Sequence, residues 1–75
     1  MTEEQFYNQK WHKRCHINMA NECSSTWQTE DGRFAICDHT TKKDEFTYGR
    51  TYRHYQIEGK TYKSRKKFLE AIKNL

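Results

Sequence analysis

Between Thr26 and Ile57 the chain repeatedly sets β-branched and aromatic residues beside polar ones, and an Asp31-Gly32 dipeptide interrupts that run. Aspartate followed by glycine suits the left-handed backbone of a short hairpin loop, so Thr26–Glu30 and Arg33–Cys37 are predicted to pair as antiparallel strands across a tight turn. Trp27, Phe34 and Ile36 then face the core. Thr47 to Glu58 is again strand-like, with Arg53, Tyr55 and Ile57 on one face and Tyr52, His54 and Gln56 on the other. Tyr55 and Ile57 mark the inner face. Gly59-Lys60 is read as a turn into Thr61-Tyr62-Lys63, whereas the polar segment Asp38 to Glu45, with Lys42, Lys43, Asp44 and Glu45 in succession, is read as a loop or a solvated strand end.

Helices are predicted on both sides of this region. Thr2-Glu3-Glu4-Gln5 has the form of a capping box, with two glutamates where a helix dipole favours anions. Tyr7, Trp11, Cys15 and Met19 recur every four residues, which predicts an apolar helical stripe extending to about Asn21 or Cys23. At the other end, Ser64 is a suitable N-cap, and Phe68, Leu69, Ile72 and Leu75 follow at helical spacing, predicting a helix over about Arg65 to Asn74. The expected fold is a single small α+β domain over residues 1–75. It has two layers: an N-terminal helix, a three- to four-stranded antiparallel sheet and a C-terminal helix.

Seventy-five residues, of which 33 % are hydrophobic, allow only a small core. The aromatic share of 15 % means that a few large rings must supply most of it, and Phe6, Trp11, Trp27, Phe34, Tyr55 and Phe68 are the candidates. No apolar run approaches a membrane span, and the acidic start is unlike a secretory signal peptide, so a cytoplasmic protein with no membrane association is expected. Three cysteines are an odd number; on one helix Cys15 and Cys23 would lie about 12 Å apart along the axis, too far to pair. Reduced thiols are the expectation.

The positive charge is concentrated. From Tyr48 to Lys67 the chain carries Arg50, Arg53, Lys60, Lys63, Arg65, Lys66 and Lys67 against Glu58 alone, a local balance of +6 in a chain whose total is +4. Cations in the first turn of a helix oppose its dipole, so stability alone does not select Arg65, Lys66 and Lys67 there. The placement becomes productive when an anion binds, because free backbone N–H groups and cationic side chains then point at one ligand. Tyr48, Tyr52, His54, Tyr55 and Tyr62 are interleaved with these cations, and aromatic rings beside phosphate contacts are the usual means of holding single strands. The same Tyr and Arg content also characterises protein–protein hot spots.

With Ser64, Lys66 and Lys67 in these positions, the run from Gly59 to Leu75 resembles, locally, the end of double-stranded RNA-binding domains. That resemblance implies a helix, three antiparallel strands and a final helix whose basic N-terminus grips phosphates. It covers less than a quarter of the chain, and Phe68, Leu69 and Ile72 stand where that family has small residues. The hairpin, strand and final helix are similarly close in layout to the sheet-plus-helix DNA-binding domains of some integrases.

Metal and enzyme chemistry find less support. His12 and His16 share a helical spacing near Cys15, and Cys37 and His39 alternate onto one strand face, but the paired short cysteine spacings of zinc motifs are absent. No Ser/His/Asp order, phosphate-cradling glycine loop or H-E-x-x-H is present, and the carboxylates Glu30, Asp31, Asp38, Asp44 and Glu45 lack a partner pattern. His54 beside Arg53 and Tyr55 is the one position that would suit a nuclease. No cofactor is expected.

The sequence therefore predicts a small non-enzymatic protein that binds nucleic acid, or a nucleic-acid-containing complex, through Arg50, Tyr52, Arg53, His54, Lys60, Lys63, Arg65, Lys66 and Lys67. The alternative is an inhibitor or adaptor that fits an acidic surface of a host protein. In size and composition the chain resembles small phage proteins that disarm host enzymes, nucleases or CRISPR defence.

Overall fold

A computed structural model describes residues 1–44 and 46–75; Glu45, placed by the sequence in a loop, lies outside the described residues. The element order is α1 (Glu3–Tyr7), β1 (Trp11–Asn18), β2 (Glu22–Thr29), β3 (Phe34–Lys42), β4 (Tyr48–Ile57), β5 (Lys60–Tyr62) and α2 (Arg65–Lys73). The five strands form one antiparallel meander in chain order. The α+β class is as the sequence predicts, but the sheet has five strands rather than three or four. This also departs from the helix, three strands and helix that the RNA-binding resemblance implies.

The extra strand comes from the predicted long first helix. Its capping box is real: the Gln5 amide donates to Thr2 Oγ1 at 3.1 Å, and the Thr2 amide donates to Gln5 Oε1 at 2.9 Å. The helix nevertheless stops after Tyr7, at a C-cap on Asn8. A spacing of four residues is also a multiple of two, so Tyr7, Trp11, Cys15 and Met19 could not distinguish a helix stripe from strand alternation. Histidine, cysteine, isoleucine and asparagine in the segment 12–18 are indifferent helix formers, and pairing with β2 satisfies their backbone instead. A bulge between Lys13 and Cys15 then changes the alternation, putting Trp11 on the helix side of the sheet and Cys15 on the other.

Turn chemistry fixes the two ends of the central hairpins. The β2–β3 loop is wider than a two-residue turn, spanning Glu30–Arg33, with Gly32 in the left-handed region at φ +76°. Thr29, 3 % exposed, donates from Oγ1 to Asp31 Oδ1 at 2.7 Å and accepts the Phe34 amide at 3.2 Å. The Thr29 hydroxyl and the Arg33 amide hold the Asp31 carboxyl below its ordinary range. The last hairpin turns on Glu58-Gly59, one residue earlier than predicted, with φ +48° and +87° and Ile57 opposite Lys60.

Both helices lie on one face. Phe6 of α1 and Phe68 and Ile72 of α2 close over Phe34, Ile36, Tyr55 and Ile57, with Trp11, Trp27 and Tyr62 packed around them. Phe6 meets five rings edge-on, among them Phe68 at a centroid distance of 4.7 Å, and Phe68 stacks on Tyr55 at 3.8 Å. Of the six predicted core rings, Phe6, Phe34, Tyr55 and Phe68 are buried, while Trp11 and Trp27 are half-buried at the rim. Leu75, predicted on the apolar helix face, is half-exposed beyond it. The molecule is 41 Å long and 24 × 20 Å across, and the core occupies only one end of its sheet.

Candidate functional site

The cations predicted to form one edge separate into three groups in space. Lys60, Lys63 and Lys67 line an open groove of about 420 Å³ together with Thr61, Tyr62 and Ser64. Strand register puts Lys60 opposite Ile57 and Tyr62 opposite Tyr55, on the sheet face that carries α2, and the Lys60 ammonium lies 5.5 Å from the Tyr62 ring centroid. The chain then passes through Ser64 in an extended conformation straight into α2.

The start of α2 is open to an anion. Ser64 sits at the N-cap, but its side chain makes no capping hydrogen bond, a correction to its predicted role, and the first turn contains no acidic residue. The Phe68 amide closes the first intrahelical bond, to Ser64 O at 3.0 Å, so the amides of Arg65, Lys66 and Lys67 precede the hydrogen-bonded ladder. Partial positive charge at those amides adds to the lysine charge around the groove. Lys66 is exposed in the same turn.

Arg65 and Arg53, by contrast, are already paired. Arg65 Nη2 donates to both oxygens of Glu3 at 2.9 and 2.7 Å, tying α2 to α1, and this carboxylate raises the guanidinium pKa. Arg53 makes a two-pronged contact with Asp38 at 2.7 and 2.8 Å across the β3–β4 ladder, and that bond likewise raises its pKa. Arg53 shares the inner face with Tyr55, as the sequence predicts. Both arginines join elements of the fold before they meet any ligand.

Arg50, Tyr52 and His54 alternate onto the opposite, helix-free face of β4, away from the lysine groove. The Arg50 guanidinium lies 5.4 Å from the Tyr52 ring centroid, and the His54 ring is 5.4 Å from that of His39 on β3. This face belongs to a different surface from Lys60, Lys63 and Lys67, because alternate strand residues point oppositely. Tyr62, one of the aromatic residues interleaved with the cations in the sequence, is half-buried and lines the groove. Glu3, whose charge cancels that of Arg65, had no sequence signal linking it to a residue 62 positions away.

Among the described residues, no group of three or more His, Cys, Asp or Glu side chains could hold a metal ion, and no helix is long and apolar enough to cross a membrane. Cys15, Cys23 and Cys37 are free thiols. Comparison with protein-family models, curated proteins and solved structures finds no match to this chain.

Proposed function

We propose that this protein is a non-enzymatic module that binds the phosphate backbone of a nucleic acid in the groove between β5 and the start of α2. The observation carrying this reading is the convergence of Lys60, Lys63 and Lys67 on a groove at an uncapped, acid-free helix N-terminus. Lys66 adds charge from the same turn. Arg53 and Arg65 act as braces, so their part in binding is to hold the surface rather than to contact phosphate.

Fluorescence anisotropy of labelled single- and double-stranded DNA and RNA, at about 50 and 200 mM salt, tests this reading, because phosphate contacts lose most affinity over that range. Affinity is expected to fall steeply with salt. Replacing Lys60, Lys63 and Lys67 together by glutamine should reduce the log–log salt slope on a duplex by up to about 3, roughly 0.9 per lost contact. Absence of binding at low salt, or an unchanged slope in the triple variant, would reject the groove.

A second reading draws on the far end of the sheet, where Phe46, Tyr48 and Met19 are exposed and Phe46 reaches 85 %. Lys42 lies there too, its ammonium 5.5 Å from the Tyr48 ring centroid. An aromatic and cationic tip of this kind fits the acidic surface of a host protein, the adaptor or inhibitor role. Partner capture that persists in high salt and is lost on Phe46→Ala would favour it over the groove.

A further inference from the structure

The helix-free face of the sheet brings a thiol, an imidazole and a carboxylate into line. Cys37 and His39 are two residues apart on β3 and share that face, with Cys37 Sγ 3.3 Å from His39 Nε2. His39 Nδ1 lies 2.9 Å from Glu22 Oε1 on β2. A carboxylate only accepts, so the ring proton belongs on Nδ1, and Nε2 presents its lone pair to the Cys37 thiol. The sulfur also accepts a hydrogen bond from Thr26 Oγ1 at 3.4 Å. This is the geometric signature of an activated nucleophile: thiol to base, and base to an orienting carboxylate.

The surroundings select the kind of electrophile. Cys37, Ala35, His54, Gln56 and Thr61 line a groove of about 290 Å³ beside the sulfur, so a small molecule has a route to it. β3 is paired on both sides, which commits its backbone N–H groups to the sheet. β3 itself therefore offers no free pair of amides beside the sulfur to stabilise the oxyanion of an acyl-transfer reaction. Thiol–disulfide exchange forms no oxyanion; it needs a thiolate, access and a proton for the departing sulfur.

We propose that Cys37 is a nucleophilic thiol that forms a mixed disulfide with low-molecular-weight disulfides such as oxidised glutathione, with His39 as its base and Glu22 as a positioning residue. His39 Nε2 takes the thiol proton, and Sγ attacks one sulfur of the disulfide RSSR. The R–S–S–R bond breaks as the Cys37–S–S–R bond forms, and the leaving RS⁻ recovers the proton from His39. The balance is Cys37–SH plus RSSR giving Cys37–S–SR plus RSH: the protein sulfur is oxidised and one sulfur of the small disulfide is reduced. The event is stoichiometric, once per chain, and modifies the sheet face opposite the lysine groove.

The three thiols provide an internal control. The protein is incubated with oxidised glutathione at pH 7, quenched at intervals with acid, and each cysteine is followed by peptide mass. Cys37 should form the adduct at least about tenfold faster than Cys15, although Cys15 is exposed and Cys37 only half-buried. His39→Ala should slow Cys37 by a similar factor and leave Cys15 unchanged, and added imidazole should restore part of the rate. Glu22→Ala should slow Cys37 and Glu22→Gln, which can still accept from Nδ1, should recover most of the loss. His12→Ala, on β1 and outside the groove beside the sulfur, is the folded control and should change the rate less than twofold. A Cys37 rate no greater than that of Cys15, or an unchanged rate in His39→Ala, overturns the proposal.

Discussion

The two ends of the sheet are built from the same strands and held together differently. At one end β3 and β4 carry Phe34, Ile36, Tyr55 and Ile57, and both helices close over them. At the other end the same strands carry Thr40, Lys42, Tyr48 and Thr51 with no helix above, and hydrogen bonds replace apolar burial. Thr40 and Thr51 share a hydroxyl bond of 3.0 Å, Arg53 grips Asp38, and Thr41 Oγ1 accepts the Arg50 amide at 3.0 Å. A small chain can thus extend a sheet well beyond its core when cross-strand polar pairs satisfy it. The bare end is then free to present Phe46, Tyr48 and Tyr52 to solvent.

The largest effect should come from the covered end. Phe68 is fully buried, stacked on Tyr55 and in edge contact with Phe6, so Phe68→Ala should cost about 3–5 kcal/mol. A domain of this size has roughly 4–11 kcal/mol in total. Urea unfolding followed by circular dichroism should show most of the stability lost. A loss below about 1 kcal/mol would mean that the covered end is not the principal core.

The same end should respond to alkali. Burial, followed by the 2.9 Å bond to the Tyr7 hydroxyl, pushes the Tyr55 phenol up to about 12. An unfolded tyrosine ionises near 10, so above that pH the unfolded chain releases a proton that the folded chain retains. This group's contribution is fully present below pH 10 and is lost as the pH rises to about 12, by an amount on the order of 2 kcal/mol. Tyr55→Phe should flatten that part of the stability–pH curve, and an equally steep fall in the variant would assign the loss to other groups.

What the sequence reveals follows the same division. The last helix and the strand face of Tyr55 and Ile57 were legible because each pattern has one reading: Phe68, Leu69 and Ile72 fit only a helix, and the β4 alternation is unbroken from Thr51 to Ile57. Trp11 to Asn18 was not legible, because spacing of four suits both structures and the bulge after Lys13 is set by pairing with β2 rather than by local residues. For the site, the sequence located the lysines but could not separate Lys60, Lys63 and Lys67 from Arg53 and Arg65. Their carboxylate partners, Asp38 and Glu3, are 15 and 62 residues away. Cys37 and His39 were visible as a pair, but Glu22, which completes the relay from a neighbouring strand, was not.

A smaller and local effect is expected at the bare end from Gly49→Ala. A Cβ there would stand 2.5 Å from Thr41 Oγ1 and 3.3 Å from Thr41 O, at the point where β3 and β4 shift register. The Thr41 hydroxyl is engaged by the Arg50 amide, so displacing it costs a hydrogen bond as well as space. The loss should be about 1–3 kcal/mol, with faster amide exchange confined to the β3–β4 tip. Removing the obstructing hydroxyl with Thr41→Ala should recover part of it, read as a non-additive double-mutant cycle. Strictly additive losses would show that the two residues do not meet.

The smallest effect on stability is expected at Phe46, and it tests the division most directly. The loop presenting this ring is fixed by Asp44, whose carboxylate accepts the Phe46 and Thr47 amides, each at 2.9 Å. Those bonds hold the Asp44 carboxyl below its ordinary range and involve no part of the Phe46 side chain. Phe46→Ala should therefore change unfolding free energy by no more than about 0.5 kcal/mol, and it should leave nucleic-acid affinity intact if the lysine groove carries binding. A loss above about 1 kcal/mol would mean that the ring packs against the tip, and the bare end would then be a second core. Equal losses of nucleic-acid affinity from Phe46→Ala and from the lysine triple variant would instead join the two ends into one binding surface, with the bases stacking where the sheet is uncovered.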